Sequence, residues 1–140
     1  MSQFEPYLFF NGNCAEAMRF YEKALGGKLE MMKASDAPEG GGEGCPQGNP
    51  DAILHACVVV EDRRLMASDW MSSEPYPGIR GVSISLVYPT VEEAKRKFDA
   101  LAAGGKVIMP VAKTFWVESF GMLTDKFGTN WMVNGGKPAK

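Results

Sequence analysis

The chain has 140 residues but only one histidine, His55, and three cysteines, Cys14, Cys45 and Cys57, none in a Cys-x-x-Cys pair. A catalytic histidine pair is therefore excluded, and a Ser-His-Asp arrangement must use His55 or not exist. An odd number of cysteines without paired spacing is not a disulfide framework. It fits a reducing compartment, so a cytoplasmic location is expected. Long apolar runs are missing too: none approaches the roughly 20 residues of a membrane span, and no membrane partner is expected. The opening MSQFEPYLFF has no basic segment ahead of an extended apolar core, so it reads as a strand rather than a secretory signal. Excess positive charge is lacking as well. Fifteen Lys and Arg against 17 Asp and Glu leave a net charge of −2, which argues against a nucleic-acid partner. Neither a Gly-x-Gly-x-x-Gly pattern nor a Gly-Lys-Ser/Thr loop occurs, and no cofactor is expected.

What is present is a sentence written twice. NCAEAMRFYEKALGGK, from residue 13, and TVEEAKRKFDALAAGGK, from residue 90, start 77 positions apart. Asn13 with Glu16, and Thr90 with Glu93, have the spacing of a capping box, in which cap and acid satisfy the first amide donors of a helix. Ala17, Phe20, Tyr21, Ala24 and Leu25 make one apolar stripe at helical spacing, and Ala94, Phe98, Leu101 and Ala102 make the other. Gly26-Gly27 and Gly104-Gly105 supply the left-handed backbone that stops each helix. A strand precedes each helix, YLFF and VSISLVY, and three follow: KLEMM, AILHACVVV and RRLMASDW in the first copy, then KVIMP, GMLTD and NWMVN in the second. Each half thus reads β-α-β-β-β, with the first module in residues 1–75 and the second in 80–136 of a single 1–140 domain. The fold class is α+β. Residues 36–51, DAPEGGGEGCPQGNPD, break the pattern and read as a mobile surface loop, a spacer between strands or else a lid.

If Asp62-Arg63 is the hairpin tip, Val60 faces Leu65, Cys57 faces Ser68 and His55 faces Trp70. Strand alternation then collects His55, Cys57, Val59, Met66, Ser68 and Trp70 on one face. Nine methionines, among them Met31, Met32, Met66, Met109, Met122 and Met132 in strand positions, serve either as core filling or as an adaptable apolar lining.

The doubled pattern, together with FFNGNCAEAMRFYEKALGGKL, LMASD, TFWVESFG and TDKFGTNWMVN, resembles the vicinal oxygen chelate superfamily. That group includes glyoxalase I, the bleomycin- and fosfomycin-resistance proteins and the extradiol dioxygenases, and the closer likeness is to its PhnB-like branch. The resemblance implies two modules whose curved mixed sheets form a cavity, paired as a homodimer. Members of the branch are often labelled as 3-demethylubiquinone methyltransferases. Here Asn11-Gly12-Asn13 runs directly into the helix cap, leaving no glycine-rich loop for S-adenosylmethionine. The superfamily's usual divalent metal, carried over by strand-to-helix spacing, would fall at Pro6, Ser83, Ser68 or its neighbour Asp69, and Asn134. Such residues offer almost no imidazole, thiolate or carboxylate, so no metal is expected there.

Three readings of function remain open. In the first, the chain binds a small apolar or aromatic molecule in a cavity lined by Met66, Ser68, Phe115 and Trp116, with Phe10 and Trp70 nearby. In the second, it is an enzyme using His55 and Glu118 as acid and base. Glu118 lies between Trp116 and Phe120, where aromatic surroundings raise a carboxyl pKa. Each has a plainer counterpart, a half-buried histidine bonded to a carbonyl and a solvated loop glutamate. In the third, a divergent metalloenzyme uses His55, Asp69 and Glu118. Asp125, ahead of Lys126-Phe127-Gly128, reads as a turn residue and Cys57 as core.

Overall fold

A computed structural model describes residues 4–36 and 51–138. The spacer reading of 36–51 therefore falls almost wholly outside the described residues. The chain divides into two compact units, Met1–Gly78 and Ile79–Lys140, and both have the doubled plan. The first runs β1 (Tyr7–Phe10), α1 (Cys14–Leu25), β2 (Lys28–Lys33), a 3-10 turn (Ala34–Asp36), β3 (Ile53–Val60) and β4 (Arg63–Asp69). The second runs β5 (Ile84–Tyr88), α2 (Val91–Ala102), β6 (Lys106–Ala112), β7 (Val117–Thr124) and β8 (Asn130–Pro138). Each unit is a four-stranded mixed sheet, in the orders β1-β4-β3-β2 and β5-β8-β7-β6, with the first strand parallel to the last and the other pairs antiparallel. Among the described residues no helix is long and apolar enough to cross a membrane.

The double glycines do two different jobs. Gly26 and Gly104 hold φ of 78° and 77°, the left-handed turn that a side chain resists. Gly27 and Gly105 lie against the neighbouring strand instead. A methyl group at Gly27 would come 2.6 Å from the Val59 carbonyl oxygen, and one at Gly105 would strike that of Thr124. One glycine ends the helix and the next lets the chain enter its strand at van der Waals distance.

One face of each sheet packs under its helix. Leu8, Phe10, Ala56, Val58, Leu65 and Ala67 are buried on the first, together with Cys14, Ala17, Met18 and Tyr21 of α1. Gly121 and Gly135 make room for α2 on the second, where Ala94, Phe98, Leu101, Leu123, Trp131 and Val133 are buried. Phe20, expected in the α1 stripe, is only half buried, and Met18 and Cys14 take its place. Phe10 lies under α1 against Tyr21, with ring centroids 6.3 Å apart, so it is a core residue and not a cavity residue as expected.

The α2 start behaves as its sequence reads, with Thr90 Oγ1 accepting from the Glu93 amide at 3.1 Å. The α1 start does not. Asn13 makes no side-chain cap bond. Its role passes to Asp69 at the end of β4, whose Oδ1 accepts from the Cys14 amide at 3.0 Å while Oδ2 accepts from the Ile53 amide at 2.8 Å. A carboxylate from a distant strand thus satisfies the helix start and sits where the helix dipole favours negative charge.

Two other expectations need correction. The β3–β4 tip is Glu61-Asp62, with Glu61 at φ 56°, so Val60 faces Arg63 and Cys57 faces Met66. That register differs from the expected one by two residues, an even number, and an even shift leaves every side chain on its predicted face. β7 also begins four residues before GMLTD, and β8 continues through Gly135-Gly136 to Pro138, so Glu118 is a strand residue rather than a loop residue.

Candidate functional site

The face of the first sheet turned away from α1 carries the predicted set. Register places Tyr7 beside Met66, Phe9 beside Ser68, Glu30 beside Cys57 and Met32 beside His55. Tyr7, Phe9 and Met32 keep 39%, 43% and 42% of their surface exposed, whereas their helix-side neighbours Leu8 and Phe10 are buried. His55 is exposed, Met66 half-buried and Ser68 buried. Tyr7 and His55 meet through ring centroids 5.9 Å apart, with the Tyr7 hydroxyl 3.5 Å from His55 Nδ1. From Tyr7 an aromatic row continues to Phe9 at 5.2 Å, Trp70 at 5.6 Å and Tyr76 at 5.9 Å. Sequence reasoning missed Tyr7, Phe9 and Tyr76 as site residues. Alternation in YLFF against LMASD was the signal available for the first two, and Tyr76 had none.

At the end of the same face, Arg64 donates from Nε and Nη2 to both Glu5 oxygens, at 2.9 and 2.8 Å. The guanidinium holds the Glu5 carboxyl below the usual carboxylate range, and the carboxylate in turn raises Arg64. Cys57 stays a thiol because burial pushes its pKa up.

The remaining predicted residues, Phe115, Trp116 and Glu118, belong to the second unit. Thr114 Oγ1 accepts from the Val117 amide at 3.2 Å and the Trp116 amide at 3.4 Å, and the Thr114 amide donates to the Val117 carbonyl at 3.2 Å. This turn presents Phe115 at 87% and Trp116 at 41% exposure, with Trp116 edge-on to Phe120 at 5.2 Å. Glu118 lies at a bulge where β8 spends an extra residue between Gly135 and Pro138. Gly136 there has φ 81°, and Glu118 Oε1 accepts from the Lys137 amide at 2.6 Å. Its carboxylate holds backbone together, which the aromatic flanks in the sequence do not reveal. Asp69, offered as a metal ligand or a partner for His55, lies on the helix side with both oxygens taken by amides. Asp125 is the turn residue expected, accepting from the Phe127 and Thr129 amides and from Trp131 Nε1.

The carried-over metal positions also change. Ser68 pairs with Phe9 and Asn134 with Val87, so the first strands correspond one residue further apart than the helices. The β1–α1 connection Asn11-Gly12-Asn13 is one residue longer than Pro89-Thr90. Ser83 therefore corresponds to Glu5 and not to Pro6. That donor set still does not fit a divalent cation. Glu5 is paired through both oxygens with Arg64, Asn134 Nδ2 donates to Ser85 Oγ and the Leu86 carbonyl, and Ser68 and Ser83 are neutral. Among the described residues no group of three or more His, Cys, Asp and Glu side chains is placed to hold a metal ion.

Doubled βαβββ units with this strand order define a class, and sequence agrees with it. The chain belongs to the glyoxalase/bleomycin resistance protein/dioxygenase superfamily, whose family model matches residues 3–133. Among its relatives, protein YjdN of Escherichia coli (strain K12) is 42% identical over 139 residues, covering 92% of each chain. The crystal structure of protein PA1353 from Pseudomonas aeruginosa is 50% identical with a TM-score of 0.87, over 97% of this chain and 98% of that one. A Bacillus cereus PhnB protein, titled a putative 3-demethylubiquinone-9 3-methyltransferase, shares the fold at 22% identity and a TM-score of 0.74, over 96% and 100% of the two chains.

Proposed function

We propose that this protein binds a small apolar or aromatic molecule without a metal, and that the open face of the first sheet is a contact surface for it. One observation carries the reading. Tyr7, Phe9 and Met32 keep about two fifths of their surface exposed around the single histidine, while the opposite face of the same strands is closed under α1. Exposed apolar side chains gathered around a few polar groups are what a ligand face offers. Met66 and Ser68 contribute to that face, and Phe115 and Trp116 offer apolar contact area on the second unit. His55 orients a polar atom of the ligand.

The acid–base reading has support on one side only. His55 has Tyr7 beside it, but the Glu118 carboxylate is engaged by the Lys137 amide. Titration of small aromatic compounds against the 15N-labelled protein tests the binding reading. Amide shifts on the open face of β1–β4 and in the segment that follows β4 are expected, with His55→Ala weakening binding about tenfold or less, roughly the weight of one hydrogen bond to a charged or polar partner. An absence of shifts on these strands across the panel would overturn it. The protein is further proposed to act in the cytoplasm as a homodimer, an assembly that would cover the exposed Val107, Ile108 and Met109 of edge strand β6. Light scattering that reports a monomer at micromolar concentration would remove the dimer.

A further inference from the structure

The segment that follows β4 does more than lead to the second unit. Trp70 and Tyr76 fold back on the open face, and both are tied there by their polar atoms. Trp70 Nε1 donates to the Glu74 carbonyl at 2.8 Å, and the Tyr76 hydroxyl donates to the Phe9 carbonyl at 2.5 Å. The Glu74 amide donates to Ser72 Oγ at 3.0 Å, which tightens the turn between them. With the indole N–H and the phenol O–H already used, what Trp70 and Tyr76 can offer a ligand is ring surface. Their planes stand steeply to one another, at 83° between Phe9 and Trp70 and 72° between Trp70 and Tyr76, so the row has angled walls rather than a flat apolar sheet.

Charge on this face does not compete with that surface. Glu5 and Arg64 neutralise each other through two hydrogen bonds, and Lys28 and Glu30 sit on β2, the far edge of the sheet from β1. Among the described residues, the one ion pair on this face is thus matched internally, which favours a ligand without net charge. A flat π-system finds rings presented at the angles that aromatic pairs favour beyond simple area burial.

We infer that Trp70 and Tyr76 are specificity-determining residues and that, with Tyr7 and Phe9, they select a neutral planar aromatic ring system over an aliphatic one of the same size. This rests on the binding reading above and adds to it the ligand class and the two residues that choose it. The polar end of such a ligand falls to His55, which Tyr7 links to the row.

The test compares 2-naphthol with decahydro-2-naphthol, which share a carbon skeleton and a hydroxyl group but differ in planarity and π-character. Affinities come from calorimetry on the full chain and the contact site from amide and indole N–H shifts. The aromatic probe is expected to bind at least tenfold more tightly, shifting Tyr7, Phe9 and the Trp70 indole. Tyr76→Ala should lower its affinity about tenfold, and Tyr76→Phe, which keeps the ring but loses the bond to Phe9, should lower it less. Equal affinity for the two probes, with shifts on this face, would overturn the inference and leave the binding reading standing. So would a Tyr76→Ala protein, folded by its amide spectrum, that binds the aromatic probe as the parent does. No shift on this face with either probe would overturn both.

Discussion

Asp69 and Gly135 occupy the same place in the two units, each beside the last residue of the strand that leads to the helix: Asp69 pairs with Phe10 and Gly135 with Tyr88. They solve the same problem in opposite ways. In the first unit the carboxylate reaches across to the α1 start and to the head of β3, and Asn13 is left with no capping bond. In the second unit there is no side chain at all. A methyl group at Gly135 would overlap Ala94 and lie 2.9 Å from the Thr90 carbonyl oxygen, so α2 rests directly on β8 and Thr90 supplies its own cap. A buried acid and a missing side chain are alternative ways of seating a helix N-terminus on a sheet. The first gains charge-assisted hydrogen bonds and the second close backbone packing.

The largest effect should come from Asp69→Ala. It strands two amide donors in the core, each lost charge-assisted bond costing roughly 1.5–3 kcal/mol, so urea unfolding should show a loss of about 3 kcal/mol or more. A loss under about 1 kcal/mol would mean that Asn13 can resume the cap. Gly135→Ala attacks the other solution. Overpacking there should cost about 1–3 kcal/mol, and adding Ala94→Gly should return part of it in a double-mutant cycle. If the two changes are additive, helix and strand are not in the contact described.

The Asp69 arrangement also has a signature at high pH. Burial, and then the neighbouring Asp69 carboxylate, push the Cys14 thiol up to about 12 from its ordinary 9.0. A folded pKa above the unfolded one gives stability that is complete below about pH 9 and is lost as pH rises toward 12. By pH 10 the loss attributable to this thiol should be about 1.4 kcal/mol, and Cys14→Ala should flatten the pH profile between 9 and 11. The smallest contrast is between the caps themselves. Thr90→Ala should cost about 1 kcal/mol and Asn13→Ala less than about 0.5 kcal/mol, although both positions read as caps. Equal costs would contradict the division of labour between the units.

Amphipathic helices, double-glycine stops and strand alternation are local, and so the doubled βαβββ plan and the placing of His55, Met66 and Ser68 on one face could be read from the chain. Alternation even survived a wrong hairpin tip, because an error of two residues preserves parity. The site was legible only in part for the same reason. Tyr7 and Phe9 were placed on a strand, but that their rings stay exposed depends on what covers each face, and Tyr76 joins them through a turn with no periodic pattern. Phe10, one residue from Phe9, went to the core.

The sequence by itself determined which residues form helices, where they stop and which strand residues share a face, because those properties depend on neighbours within a few positions. Tertiary structure decided the rest. Asp69 caps a helix more than 50 positions away, Glu118 closes a bulge against Lys137, and Glu5, which rather than Pro6 corresponds to Ser83, pairs with Arg64. Each of these groups is polar, and a polar side chain's role is set by the donor or acceptor that packing brings to it. Only the folded chain specifies that partner.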